Sequence, residues 1–235
     1  MRQLFVSSIA LVSASFVLDT AQAQSAKENA WQGLYGQVGL IGYESYIPSS
    51  STGTTTVGST VLPTTFSGNN ANGLAGNISA GYNFAINDRY LIGVAATLYP
   101  GHSPSASTSA SNAGGTSTGS YNVANVFSFY ITPGYAIDQD KMVYAKVGYT
   151  GATMNSSASG NRAGNFDEIS TYMSGVVLGL GYKQMITESI FAFGEFNYAI
   201  DSPKTINLTT NDGLQVSSTA KAVGYDFILG VGYRF

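Results

Sequence analysis

Eight stretches of about ten residues alternate apolar and polar side chains with period two, and the connections between them are alternately short and long. Such alternation makes each stretch a strand with one greasy and one polar face. The stretches are 33–43, 73–84, 90–99, 121–135, 142–151, 172–182, 190–200 and 221–235. Three connections are short, at 85–89, 136–141 and 183–189, and carry turn residues such as Asn87-Asp88 and Asp138-Gln139-Asp140. Four are long, at 45–72, 100–120, 153–171 and 201–220. Strands of this length with this rhythm of connections suit a chain that crosses a bilayer as a closed barrel.

Charge decides which face meets lipid. The apolar faces include Val94, Val123, Phe129, Leu178 and Leu229 and carry no charge until Lys221 at a loop end. The charges within strands, Lys146, Lys183, Glu195, Asp226 and Arg234, fall on the opposite face. A cation at mid-bilayer on the lipid face costs about 2–4 kcal/mol. A soluble sandwich would load its polar faces with Lys and Glu, yet only 10% of this chain is charged, against about 25% in soluble domains. The inward faces hold mostly Gly, Ser, Asn and Thr, which suits the crowded interior of eight strands. The expected fold is therefore all-β: an eight-stranded antiparallel up-and-down transmembrane β-barrel with short periplasmic turns and long extracellular loops. The rival is a soluble lipocalin-like barrel with its apolar faces turned inward.

The first residues read as a secretory leader: Met1-Arg2, an apolar run from Leu4 to Leu18, and the cleavage pattern Ala21-Gln22-Ala23. The expected organisation is a cleaved signal peptide at 1–23, an N-terminal segment at 24–32 and the barrel at 33–235. Four strands approach their short-turn or terminal end with the pair Gly-Tyr, at Gly81-Tyr82, Gly134-Tyr135, Gly181-Tyr182 and Gly232-Tyr233. Tyr82, Tyr135, Tyr182 and Tyr233 share the apolar face, as one arc of an aromatic girdle would. Pro133 cannot donate a ladder bond, so a strand end or a bulge is expected there.

The stretches Ile131-Thr132-Pro133-Gly134-Tyr135, Tyr144 to Tyr149, Phe191 to Tyr198 and the last strand carry a resemblance. They resemble the small outer-membrane β-barrel family of Gram-negative bacteria that includes the OmpA transmembrane domain, OmpX and the opacity proteins. Leu229, Val231, Tyr233 and Phe235 resemble the C-terminal signal read by the barrel assembly machinery. The resemblance implies an outer-membrane location, with lipid, lipopolysaccharide and that machinery as partners. It also implies roles in adhesion, surface masking, membrane integrity or narrow conduction. With no cell-wall-binding domain after the last strand, anchoring to peptidoglycan is not expected.

Candidate chemistry is thin. Lys146, Lys183, Glu195, Asp226 and Arg234 form either a charged lumen gate or, on the favoured reading, ion pairs that fill the interior. Glu195 is expected to pair with Lys146 or Lys183. His102, the only histidine, begins a Ser-rich loop without an acid nearby, so a lipid-modifying enzyme is disfavoured. Cysteine is absent, and Asp167-Glu168 and Asn211-Asp212 lack calcium-loop spacing. No metal or cofactor is expected, and a net charge of -3 gives no reason for nucleic acid. The loops 49–60, 103–120 and 155–165 are Ser/Thr/Asn/Gly-rich and are expected to be mobile. The expected function is a non-enzymatic barrel that supports the membrane and displays these loops to a host or surface ligand. The alternative is a narrow porin-like channel.

Overall fold

A computed structural model describes residues 29–235. The expected leader, with Ala21 and Ala23, lies outside the described residues. Eight long strands form the barrel: β1 (Gly33–Pro48), β4 (Ala71–Ala85), β5 (Tyr90–His102), β7 (Gly115–Ala136), β8 (Lys141–Ala158), β9 (Phe166–Met185), β10 (Ile190–Asp201) and β13 (Ala222–Arg234). All neighbours are antiparallel. The first strand pairs with the last, from Tyr35 opposite Arg234 to Pro48 opposite Ala222, so the sheet closes and leaves no edge within the barrel.

The outward faces are apolar and uncovered by protein, with Ile92, Val94, Ile131, Val147, Leu178, Leu180, Leu229 and Val231 all exposed. The inward faces are buried. On β10, Phe191, Phe193, Glu195 and Asn197 point inside while Phe196, Tyr198 and Ile200 point out. Of the two barrel readings, this is the one in which the greasy side looks at hydrocarbon.

The three short turns share one construction. In each, two consecutive amides reach one carbonyl: Ile86 and Asn87 to Tyr90, Ile137 and Asp138 to Lys141, and Ile186 and Thr187 to Ile190. The second residue, Asn87, Asp138 or Thr187, also accepts an amide two residues on, at Arg89, Asp140 or Ser189. This is the turn chemistry for which Asn, Asp and Thr are suited.

The long connections differ from expectation. Five further strands occupy them: β2 (Ser51–Val57), β3 (Thr60–Gly68), β6 (Ala106–Asn112), β11 (Lys204–Thr209) and β12 (Gln215–Ala220). They continue the sheet beyond the barrel in the order β11-β12-β2-β3-β6-β7. Thr and Val supply strand propensity, and neighbouring loops supply the ladder partners that no single loop contains. The 22 residues of β7 run about 70 Å at ~3.3 Å per residue, more than twice the ~30 Å of hydrocarbon in a bilayer. The tracts expected to be mobile are thus largely an ordered β-extension.

Two local expectations are also corrected. Pro133 lies at neither a strand end nor a bulge. It faces outward within β7, opposite Ile92, and the β7–β8 register is the same on both sides of it. Between Ile131 and Gly134 the Thr132 and Pro133 pairings with β8 are missing, as a lost donor requires. Val123 does not face lipid. Asn125 has φ 52, the β7–β8 register shifts between Ala124 and Phe127, and beyond that bulge Val123 turns inward against Ala71, Ala106 and Tyr121.

Candidate functional site: a plugged lumen beneath an extracellular cavity

The Gly-Tyr pairs have two faces, and the inward one builds the plug. Gly81 lies opposite Tyr35, Gly134 and Gly181 opposite Tyr144, and Gly232 opposite Phe191. A Cβ at Gly181 or Gly232 would overlap the facing ring. Glycine therefore lets large rings lie flat across the neighbouring strand. Trp31, Tyr35, Leu91, Met142, Tyr144, Phe191, Phe193 and Ile228 close the periplasmic half with these rings. The small inward residues suit this crowded lumen by serving as seats for aromatic filling. Of the outward tyrosines, Tyr82 packs at an angle against Phe84, Tyr135 at an angle against Tyr90 and Tyr233 edge-on against Phe235, while Tyr182 donates to Gln184 at 2.7 Å. Arg89 donates to the Tyr135 hydroxyl at 3.0 Å. A second arc at the outer end contains Tyr43 beside Tyr225 and Tyr149 bonded to Tyr172 at 2.7 Å.

Above the rings lies a buried ionic layer. Lys146 and Glu195, each 2% exposed, pair at 3.1 Å. Glu195 also accepts the Tyr144 hydroxyl at 2.7 Å and the Asn197 amide at 2.8 Å. The same Asn197 Nδ2 donates to Asp226 at 2.8 Å, and Tyr99 donates to Asp226 at 3.0 Å. The Lys146 ammonium lies 4.0 Å from the centre of the Tyr130 ring. Buried charge persists only with such partners.

Of the five charges read from the sequence, Lys146, Glu195 and Asp226 come together through Asn197. Lys183 stands one layer lower, its ammonium 3.7 Å from the Tyr35 ring and 4.8 Å from Phe191, without a carboxylate within 4 Å among the described residues. Arg234 does not join them. Its guanidinium donates to the Glu188 carbonyl at 2.9 Å in a periplasmic turn. Tyr99, Tyr144 and Asn197 were missed, although each shares the inward phase of a strand already identified.

The outer half is hollow. A cavity of about 910 Å³ rises from Tyr99, Asn197 and Asp226 to the loop tips at Gly115 and Arg162. Its walls are largely apolar, with Phe66, Met154, Phe166, Ile206, Leu208 and Val216 among them. Beside it, His102 Nδ1 lies 3.1 Å from the Ser103 carbonyl, and the Ser103 hydroxyl donates to the Pro104 carbonyl and accepts the Val123 amide. Ser103 and His102 are thus engaged with backbone rather than with each other's reactive atoms. Asp212 accepts the Gly164 amide at 3.0 Å and clasps two loops.

Comparisons with known proteins agree with this architecture. Among solved structures, OprG from Pseudomonas aeruginosa aligns with a TM-score of 0.55 at 10% identity, covering 87% of this chain and 96% of its own. The outer membrane protease OmpT from Escherichia coli aligns at 0.51 and 11%, covering 86% and 97%. The attachment invasion locus protein Ail of Yersinia pestis aligns at 0.43 and 15%, covering 87% and 99%. At these identities the likeness to OprG and OmpT speaks for the fold alone. No curated protein sequence matches the chain. The profile of one family, described as outer membrane protein beta-barrel domain, matches residues 8–235. With nearly the whole chain matched and a closed eight-stranded barrel bearing a lipid-facing belt, this chain belongs to the outer membrane β-barrel domain family and resides in the outer membrane.

Proposed function

We propose that this barrel is a non-enzymatic display protein whose extracellular β-extension meets a host or surface ligand. One observation carries the reading: strands from three separate loops, β2 and β3, β6, and β11 and β12, pair into one sheet continuous with β7. An ordered platform lowers the entropy lost on binding, which mobile loops would pay in full. Its ladders carry hydroxyls on the outside, such as Ser67 against Ser109 and Ser111 against Thr116, and these suit polar contacts with a partner.

The narrow-channel alternative is opposed by the aromatic layer around Tyr144 and Phe191 and by the ion pair above it, which fill the bore of an eight-stranded barrel. The test replaces 49–70 and 106–119 by short turns in cells lacking other adhesins. The shortened barrel should still migrate as a heat-modifiable band but lose attachment to immobilised host matrix. Undiminished attachment, or discrete conductance steps from the intact protein in planar bilayers, would reject the proposal.

A further inference from the structure

The row of residues at the cavity floor is unusual in its charge. Glu44 on β1 lies directly opposite Asp226 on β13, and Asp226 lies directly opposite Asn197 on β10. Like charges directly opposite in a ladder are destabilising. Among the described residues, no Lys or Arg nitrogen lies within 4 Å of Glu44 or Asp226. Lys146 belongs to the same row, facing Gly179 across β9, but its ammonium turns down to Glu195. Glu44 is held by a long 3.4 Å bond from Tyr46, and Asp226 by neutral donors, Tyr99 and Asn197.

Asn197 fixes one side of this floor. It is 2% exposed and lines the cavity. Its Nδ2 is committed to two carboxylates, which fixes the orientation of the amide. Its Oδ1 is buried without a hydrogen-bond partner. A buried acceptor left open costs about 1–3 kcal/mol. Carboxylates from two neighbouring strands therefore meet at the cavity floor, with Asp201 a little higher on the wall, while the Asn197 oxygen turns the other way, toward Gly179. The lining cations Arg162 and Lys221 are both exposed, away from this buried floor.

We propose that this cavity binds a small organic cation, head down, with its ammonium between Glu44 and Asp226. The apolar body lies against Tyr46, Ala199 and Val177, which line the cavity one inward step above that row. A donor-only head gives both carboxylates a charged partner and relieves the Glu44–Asp226 repulsion. A metal ion would use the same acids but has no use for greasy walls. The cavity volume lies within the ~300–1,000 Å³ usual for sites of drug-sized ligands.

The experiment uses the whole protein in lipid nanodiscs, since detergent could enter an apolar cavity. Phenethylammonium, its neutral isostere phenethyl alcohol and the anion phenylacetate are titrated by calorimetry, with potassium and magnesium chloride as inorganic arms. The ammonium should bind at least about tenfold more tightly than the alcohol, and phenylacetate should not bind. Glu44→Gln and Asp226→Asn should each weaken the ammonium about tenfold and leave the alcohol unchanged, while Asp138→Asn at a periplasmic turn changes neither. Heat-modifiable mobility checks folding, and Glu44→Gln alone carries the test if Asp226→Asn fails to fold. Equal binding of ammonium and alcohol, competition by magnesium at equal concentration, wild-type affinity in the folded variants, or no binding at all would each overturn the proposal.

Discussion

Tyr144 lies directly opposite Gly181 in the β8–β9 ladder, and its ring fills the space that a side chain at 181 would need. The ring is fixed at its far end as well, because its hydroxyl donates to Glu195 at 2.7 Å. Neither end can move freely. Gly181→Ala should therefore destabilise the barrel by about 1–3 kcal/mol, the usual cost of overpacking. Gly134 offers the contrast. A Cβ there would first meet the Met142 sulfur at 3.4 Å, an ordinary contact with a flexible side chain. Gly134→Ala should be near neutral. Urea unfolding in lipid vesicles compares the two, and equal costs would contradict the seating of rings over glycine.

The Lys146–Glu195 pair invites a double-mutant cycle. Lys146→Met leaves a carboxylate among Tyr144, Asn197 and no cation, and should cost about 3–5 kcal/mol. Glu195→Gln strands the ammonium on the Tyr130 face and should cost a similar amount. The double variant should be more stable than either single one, because the charges leave together. Additive losses in unfolding free energy would mean that the pair is not the organising contact of the plug.

These contacts show what the sequence can and cannot disclose. The eight strands and the outward belt were legible because period two must hold wherever one face meets lipid and the other protein. It failed at Val123, where one residue at positive φ, Asn125, reverses the phase. Lys146, Glu195 and Asp226 could be assigned to the inner face by counting, but not to each other. The partner of Glu195 is chosen by a row offset: Gly179 and Gly181 leave room for a lysine and a tyrosine to cross β9. Arg234 had the right phase but the wrong depth, since its strand ends at the turn that binds it. The extension was illegible for a different reason. Its strands pair between loops distant in sequence, as Val216 does with Thr55, and Ser/Thr-rich text gives no sign of such a partner.

The belt predicts a depth dependence. On β9 the outward residues run from Tyr172 to Tyr182, ten residues apart, which is the span of a transmembrane strand. Leu178 lies between those ends, opposite Val147 and Tyr198. Leu178→Arg should cost about 2–4 kcal/mol, whereas Tyr182→Arg at the interface should cost about 0–1 kcal/mol for the charge itself. Equal unfolding free energies for the two variants would put the hydrocarbon elsewhere.

The clasp between the third and fourth loops should depend on pH. Hydrogen bonds from Thr210 and from the Gly164 amide hold the Asp212 carboxyl below the usual carboxylate range. A group whose folded pKa is lowered contributes its stabilisation above its unfolded value and loses it as pH falls through the folded one. The Gly164 amide should therefore be protected at neutral pH and exchange faster below the ordinary carboxylate range. Asp212→Ala should show that faster exchange at every pH, and trypsin should nick it sooner at the neighbouring Arg162. Because Asp212 is fully exposed, the effect should stay local and leave global unfolding unchanged. A Gly164 exchange rate in the variant that matches the wild type at neutral pH would show that the clasp does not hold these loops together.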